Sequence, residues 1–139
     1  MFLKPGGRLA GRVVGSDAKP VDGQVAGTFK VPANWDGNDE TIDLKYHFTM
    51  PAGMKRVVAV LTWEAAQGFN LNFSTGTGFC PDSGDMKLKT IKSGGEAVLQ
   101  YSPGSALEQM PWFIHLGAEN AADMKGKSLA FKARVALLP

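Results

Sequence analysis

The chain has 139 residues, of which 44% are hydrophobic and 20% are charged, and its formal net charge is +2. This length suits one domain with its own core, and this composition excludes a largely disordered protein. The 15 basic and 13 acidic residues nearly balance, so the net charge gives no argument for a nucleic-acid-binding surface and no nucleic-acid partner is expected. No run approaches 18 apolar residues, so no membrane span is expected.

The N-terminal segment differs in composition from the rest of the chain. Residues 1–23 are weakly patterned, rich in Gly, and show no apolar stretch typical of a signal peptide. We predict that they form an arm or an edge strand, with residues 8–14 as the pairing segment. A homo-oligomer held together by this arm is one expectation. Residues 24–139 are predicted to form a single β-sandwich domain.

Short apolar runs separated by Gly- and Pro-rich turns fill the remainder of the chain. The clearest alternation spans residues 41–50, where apolar side chains on one face are Ile42, Leu44, Tyr46, Phe48 and Met50. Further strands are predicted at residues 24–31, 57–63, 69–74, 86–91, 96–101, 111–116 and 129–137. Gly94-Gly95 supplies a hairpin turn between two of them.

This pattern predicts an all-β fold, an antiparallel β-sandwich with a jelly-roll-like arrangement of eight to nine strands. A flattened barrel is the alternative. One core between two sheets is expected to contain a residue from each of five strands: Phe48, Val60, Leu71, Ile114 and Phe131. Lys87, Lys89 and Lys92 are expected on an edge strand, where lysine opposes aggregation between sheets.

From residue 41 to residue 139 the chain resembles the bacterial pre-peptidase C-terminal (PPC-like) domain and the related β-sandwich accessory domain of secreted subtilisin-like proteases. The resemblance is carried by Leu61-Thr62-Trp63, by the alternating segment at 69–73 and by Trp112-Phe113-Ile114 before a terminal alternating strand. It implies a non-catalytic module of secreted enzymes that binds calcium, glycan or matrix. Asn70 and Asn72 stand where the family commonly has acids, which weakens a calcium site there.

The polar loop after Trp35 is the best candidate for a cation site. Calcium prefers six to eight oxygen ligands and a glycine that lets the loop turn tightly, and Gly37 lies within this loop. The predicted calcium ligands are Asp36, Asn38, Asp39, Glu40 and Asp43. Solvated loop acids are the alternative. Asp82 and Asp85 form a second candidate loop, and no cofactor other than Ca²⁺ is expected.

The aromatic residues and histidines yield one further candidate. Trp63 and Trp112 are expected in the core, whereas Trp35 is expected to be exposed and is the candidate ligand-binding aromatic. His47 and His115 are interpreted as structural or surface residues, because no serine has the nucleophile-elbow motif G-x-S-x-G. Cys80 is interpreted as a bystander thiol, and pairing with another chain is the alternative.

These observations favour a non-catalytic β-sandwich module that binds a glycan, matrix or partner protein, or acts by structural contact. The alternative is a jelly-roll assembly protein, such as a capsid decoration or surface-layer subunit. A hydrolase is a third, less favoured interpretation. The expected location is extracellular, in a bacterial system, or on a virion or cell surface.

Overall fold

A computed structural model describes residues 7–8, 10–11, 21–64, 68–77 and 89–139. These residues form β-strands joined by turns, with two short 3₁₀ turns at Asp39–Thr41 and Ala121–Met124. No helix in the described ranges is long and apolar enough to cross a membrane. The strands are β1 (Gly7–Arg8), β2 (Ala10–Gly11), β3 (Val21–Val31), β4 (Leu44–Thr49), β5 (Arg56–Trp63), β6 (Leu71–Thr77), β7 (Lys89–Ser93), β8 (Glu96–Tyr101), β9 (Pro111–Ala118) and β10 (Lys127–Leu138).

The strands form two sheets. The smaller sheet has the order β1-β4-β9-β6, and the larger has the order β2-β3-β10-β5-β8-β7. All pairings are antiparallel except that of β1 with β4. Strand β10 is central in the larger sheet, because it pairs with β3 along Lys127–Leu137 and with β5 along Phe131–Leu138. The predicted all-β, two-sheet class is therefore confirmed.

The number of strands differs from the prediction of eight to nine. Seven strands make the body of the sandwich, with β4, β9 and β6 in one sheet and β3, β10, β5 and β8 in the other. The two-residue strands β1 and β2 and the short strand β7 add to the edges of these sheets. The predicted strand at residues 41–50 is also shorter, because residues 39–41 form a 3₁₀ turn capped by Asn38.

Alternating side chains of the two sheets meet in a continuous core. In β10 the buried residues are Leu129, Phe131, Ala133, Val135 and Leu137, and they include Phe131, which was predicted in the core. Leu71 and Ile114 are fully buried, and Trp63 and Trp112 are buried as expected. Removing such surfaces from water is the main stabilising contribution to a fold of this kind.

Two of the five predicted core residues have other positions. Val60 faces away from the core, because the buried face of β5 is that of Val57, Ala59, Leu61 and Trp63. Phe48 is only partly buried and packs against the margin of the core. The run Val57–Leu61 is apolar on both faces, so its composition alone does not define which face is buried.

Candidate functional site

The predicted cation loop is organised by hydrogen bonds within the loop. The Asp36 carboxylate accepts from the Asn38 backbone N–H at 2.9 Å, and the Asn38 side-chain oxygen accepts from the Glu40 N–H at 3.1 Å. Asn38 thereby caps the 3₁₀ turn at Asp39–Thr41. This is the usual role of Asn and Asp at such positions, where a side-chain oxygen satisfies a free backbone donor.

Trp35 belongs to the same local network. Its indole N–H donates to the Asn38 carbonyl at 2.9 Å, and the Thr41 hydroxyl donates to that carbonyl at 2.7 Å. Trp35 is half-buried and packs against the core, so it is less exposed than the sequence suggested. Its ligand-binding role stays a prediction.

The Asp43 backbone N–H donates to the Asp39 carbonyl at 2.9 Å, so Asp43 stays beside the loop, but its side chain has a partner elsewhere. The carboxylate of Asp43 contacts His115, across the smaller sheet, at 2.9 Å. Within the described ranges, no three His, Cys, Asp or Glu side chains form a group that could hold a metal ion. Calcium binding by the loop stays a prediction, and Cys80, Asp82 and Asp85 lie outside the described residues.

The Asp43–His115 pair lies on the outward face of the smaller sheet. Asp43 immediately precedes β4, and His115 lies in β9, where it pairs with Lys45 on one side and Ser74 on the other. The contact joins Asp43 Oδ2 to His115 Nε2, and the two side chains are about one-fifth exposed. A half-buried carboxylate fixes the orientation of the ring and leaves a polar surface that can exchange hydrogen bonds with a ligand.

Two glycines provide the space for the side chains on this face. A Cβ at Gly117 would lie 3.1 Å from Asp43 Oδ1, so a larger residue would crowd the carboxylate. A Cβ at Gly76 would lie 2.6 Å from the Phe113 ring. Phe113 is 1% exposed, and the Lys45 ammonium lies 5.6 Å from its ring centroid. The outward face of this sheet is therefore closely packed at Phe113 and half-open at His115.

Sequence analysis missed the Asp43–His115 pair. The two residues are 72 positions apart, and only the pairing of β4 with β9 brings them together. The sequence does place Asp43 on the polar face of its strand, but no local motif indicates its partner.

Behind this face, the Tyr46 side chain points into the core. Tyr46 is fully buried, and its hydroxyl has no hydrogen-bond partner within the part of the chain that the structure describes. Burial raises the pKa of the Tyr46 phenol well above its ordinary range, because the charged phenolate loses its hydration. Tyr46 is thus a core residue that carries an energetic cost.

The larger sheet carries a groove on its outward face. A cavity of about 380 Å³ lies over β3, β10 and β5, and its lining includes Gln24, Val60, Thr62, Lys132 and Arg134. An adjoining cavity of about 280 Å³ shares Thr62 and Lys132 and continues toward Glu64. Val60 was predicted in the core, and its outward position makes it part of the floor of this groove.

Two basic residues of the central strand line the groove. Lys132 and Arg134 are exposed, and both point outward from the central strand β10. The residues paired with Lys132 are Ala26 and Thr62. Arg134 pairs with Gln24 and Val60.

Comparison with known proteins gives the chain no family. No protein-family model matches it. No curated protein matches it either. The resemblance to the pre-peptidase C-terminal domain therefore stays an expectation.

Proposed function

We propose that this chain is a non-catalytic β-sandwich module that acts by binding a partner through the outward face of its larger sheet. The observation that carries the proposal is the groove over β3, β10 and β5, with its adjoining cavity. Concave surfaces with a few convergent polar groups are the usual form of binding sites. Here the polar groups are Gln24, Thr62, Lys132 and Arg134, and the apolar floor includes Val60.

The scaffold suits this role because the groove residues belong to paired strands. Lys132 and Arg134 are held on both sides, by β3 and by β5, in an unbroken antiparallel register. Side chains on a paired central strand keep their spacing better than side chains on a loop. The module can therefore present two cations in a fixed arrangement.

We further propose that the connectivity is that of a jelly roll. Consecutive strands from β3 to β6 alternate between the larger and the smaller sheet, and so do β8, β9 and β10. Such alternation is typical of double-sheet jelly rolls, which occur in both binding and assembly proteins. We place the module in an extracellular or cell-surface bacterial setting, which is the setting that the sequence resemblance implies.

Nuclear magnetic resonance titration of the ¹⁵N-labelled chain tests the binding function. The probes are cellohexaose, polygalacturonate, an alternating Ser-Glu peptide and an alternating Ser-Lys peptide. We expect at least one probe to cause saturable shifts at the groove residues Thr62, Lys132 and Arg134. If every probe leaves these resonances unchanged, or shifts only residues elsewhere, the groove is not a binding site for these ligand classes and the proposal loses its support.

A further inference from the structure

The outer edge of β3 lacks a neighbouring strand along most of its length within the described residues. Strand β3 pairs with β10 over its full length, whereas on its other side β2 pairs only with Gly23 and Gln24. We infer that Val25–Val31 pairs with the same segment of a second copy of this chain, so that the larger sheets of the two copies form one continuous sheet. This inference concerns self-association and does not depend on the groove.

The exposure of the strand shows that this edge is accessible. Ala26, Thr28 and Lys30 alternate on the outward face, and all three are exposed. Gly27 lies on the inward face and is half-buried rather than buried. An edge whose backbone N–H and C=O groups have no partners is a template for a further strand, so this segment can accept one without a change of fold.

The sequence of the segment is complementary to itself in an antiparallel pair centred on Thr28. In that register Thr28 faces Thr28 of the partner subunit, and threonine pairs of this kind stabilise neighbouring strands. Ala26 faces the partner's Lys30, so no two cations are opposed. Gly27 faces the partner's Phe29, so no two large side chains are opposed either. Outward positions face outward positions, which keeps the alternation of the sheet.

The ends of the segment fit the same register. Val31 is followed by Pro32, which lacks a backbone N–H and ends the strand. In the pair, Val31 of the partner subunit faces Val25, and the next position along the edge, Gln24, is already paired with β2. The added strand therefore ends where β2 begins, and β2 stays in place in both copies.

The stacking of the two sheets leaves room for a second copy at β3 but not at β6. Strand β6 packs against β8, and the larger sheet continues beyond β8 with β7. A second copy placed beside β6 would therefore meet β7. Counting strands from that contact places β4 opposite β10 and the two-residue strand β1 opposite β3. The smaller sheet thus does not extend past β3, and the edge of β3 can meet its counterpart.

The pair has a consequence for the groove of the larger sheet. A two-fold axis perpendicular to this sheet places the grooves of both copies on one face. Ala26 lines the groove and faces Lys30 of the partner subunit in the pair, so each copy contributes a residue to the border of the other copy's groove. This consequence rests on the binding function proposed above, and it makes the assembled module bivalent.

Disulfide trapping tests the pair and its register. In a Cys80→Ser chain, Thr28→Cys brings two thiols to directly opposite positions, whose Cα atoms are about 4.5–5.5 Å apart, within the range that a disulfide spans. Lys30→Cys is the control, because in this register its two copies lie about 14 Å apart along the strands. Under mild oxidation we expect a covalent dimer from Thr28→Cys and little or none from Lys30→Cys.

Sedimentation velocity over a concentration series measures the pair without a cross-link. We expect the parent to approach the mass of two chains as its concentration rises. Ala26→Lys places a lysine opposite Lys30 of the partner subunit at both ends of the pair and should weaken association at least about fivefold. Adding Lys30→Glu to Ala26→Lys should restore association to within about threefold of the parent. Ala130→Lys is a matched control that should associate like the parent, because Ala130 is exposed on the same face but lies on β10, away from the edge.

Two results would overturn the inference. A parent that sediments as one chain at every concentration shows that the edge of β3 stays unpaired. A dimer in which Lys30→Cys cross-links as readily as Thr28→Cys, or which Ala26→Lys leaves unchanged, is built from another surface or another register. Thermal melts check that each variant is folded. A groove that binds no probe contradicts the proposed function alone and leaves the pairing of β3 untouched.

Discussion

Substituting Gly76 with alanine tests the packing on the outward face of the smaller sheet. The added Cβ would lie 2.6 Å from Phe113 Cζ and 2.9 Å from Cε1, both well inside normal contact. Gly76 does not have a positive φ angle, so alanine fits its backbone and any penalty comes from the ring. Phe113 is 1% exposed and has little room to move. Overpacking of this kind costs about 1–3 kcal/mol.

Urea unfolding followed by circular dichroism measures this cost, and a thermal melt should show a decrease of roughly 4–12 °C. Gly117→Ala is a milder control, because its Cβ would meet the Asp43 carboxylate at 3.1 Å rather than a ring. Adding Phe113→Leu to Gly76→Ala should recover part of the loss, since leucine lacks the two crowded atoms. A Gly76→Ala protein that is as stable as the parent, or more stable by the 0.4–1 kcal/mol usual for glycine replacement, would refute the placement of Phe113 over Gly76.

Three further predictions concern the core and the loop. Tyr46→Phe should leave stability unchanged or raise it by about 1 kcal/mol, because it removes a buried hydroxyl that has no partner among the described residues. Burial raises the pKa of Tyr46 in the folded state, so the contribution of this group to the free energy of unfolding is present below about pH 10 and is lost as the pH rises further. Urea unfolding at alkaline pH should therefore show a smaller loss of stability in Tyr46→Phe than in Tyr101→Phe. Asp36→Ala should cost about 0.5–1.5 kcal/mol, equally with calcium and with chelator, because it removes the hydrogen bond from the Asn38 backbone N–H. A melting temperature that calcium raises only in the parent would instead identify Asp36 as a metal ligand. Leu71→Ala should cost about 2–5 kcal/mol and Val60→Ala less than about 1.5 kcal/mol, and equal costs would show that Val60 is a core residue after all.

Alternation along the chain predicted the inward face of β4 and of β10, because the opposite positions are polar in β4 and are mainly polar or alanine in β10. It failed in β5, where Val58 and Val60 are as apolar as Val57 and Leu61. The largest residue of this strand, Trp63, lies on the buried face. Alternation alone does not use the size of side chains, so it did not indicate this face. Which face of such an apolar strand is buried depends on how the opposite sheet packs against it.

The polar sites show a different limit. The capping role of Asn38 depends on neighbouring residues alone. In turns, an Asn side-chain oxygen commonly accepts a hydrogen bond from the backbone N–H two residues later, which here is that of Glu40. The pairing of Asp43 with His115 and the space that Gly117 leaves for it depend on contacts between distant strands. Predictions built on nearby residues group Asp43 with the acidic loop, where its backbone N–H donates to Asp39, but they do not reveal the imidazole on the neighbouring strand.

The N-terminal arm provides a final prediction, which separates a role within the chain from a role between copies. The described arm residues pair within the chain: Gly7–Arg8 lie beside Tyr46–His47 at the edge of the smaller sheet, and Ala10–Gly11 lie beside Gly23–Gln24 at the edge of the larger one. Two short pairings on opposite sheets join the layers and cover an exposed row of backbone groups on each. Deleting residues 1–19 should therefore lower the free energy of unfolding and promote aggregation. Freshly purified truncated protein should nevertheless have the same oligomeric state as the parent, measured by light scattering after size-exclusion chromatography. A parent that forms a defined oligomer and a truncated chain that is a stable monomer would instead assign the arm to the contact between copies, and would favour the assembly protein over the binding module.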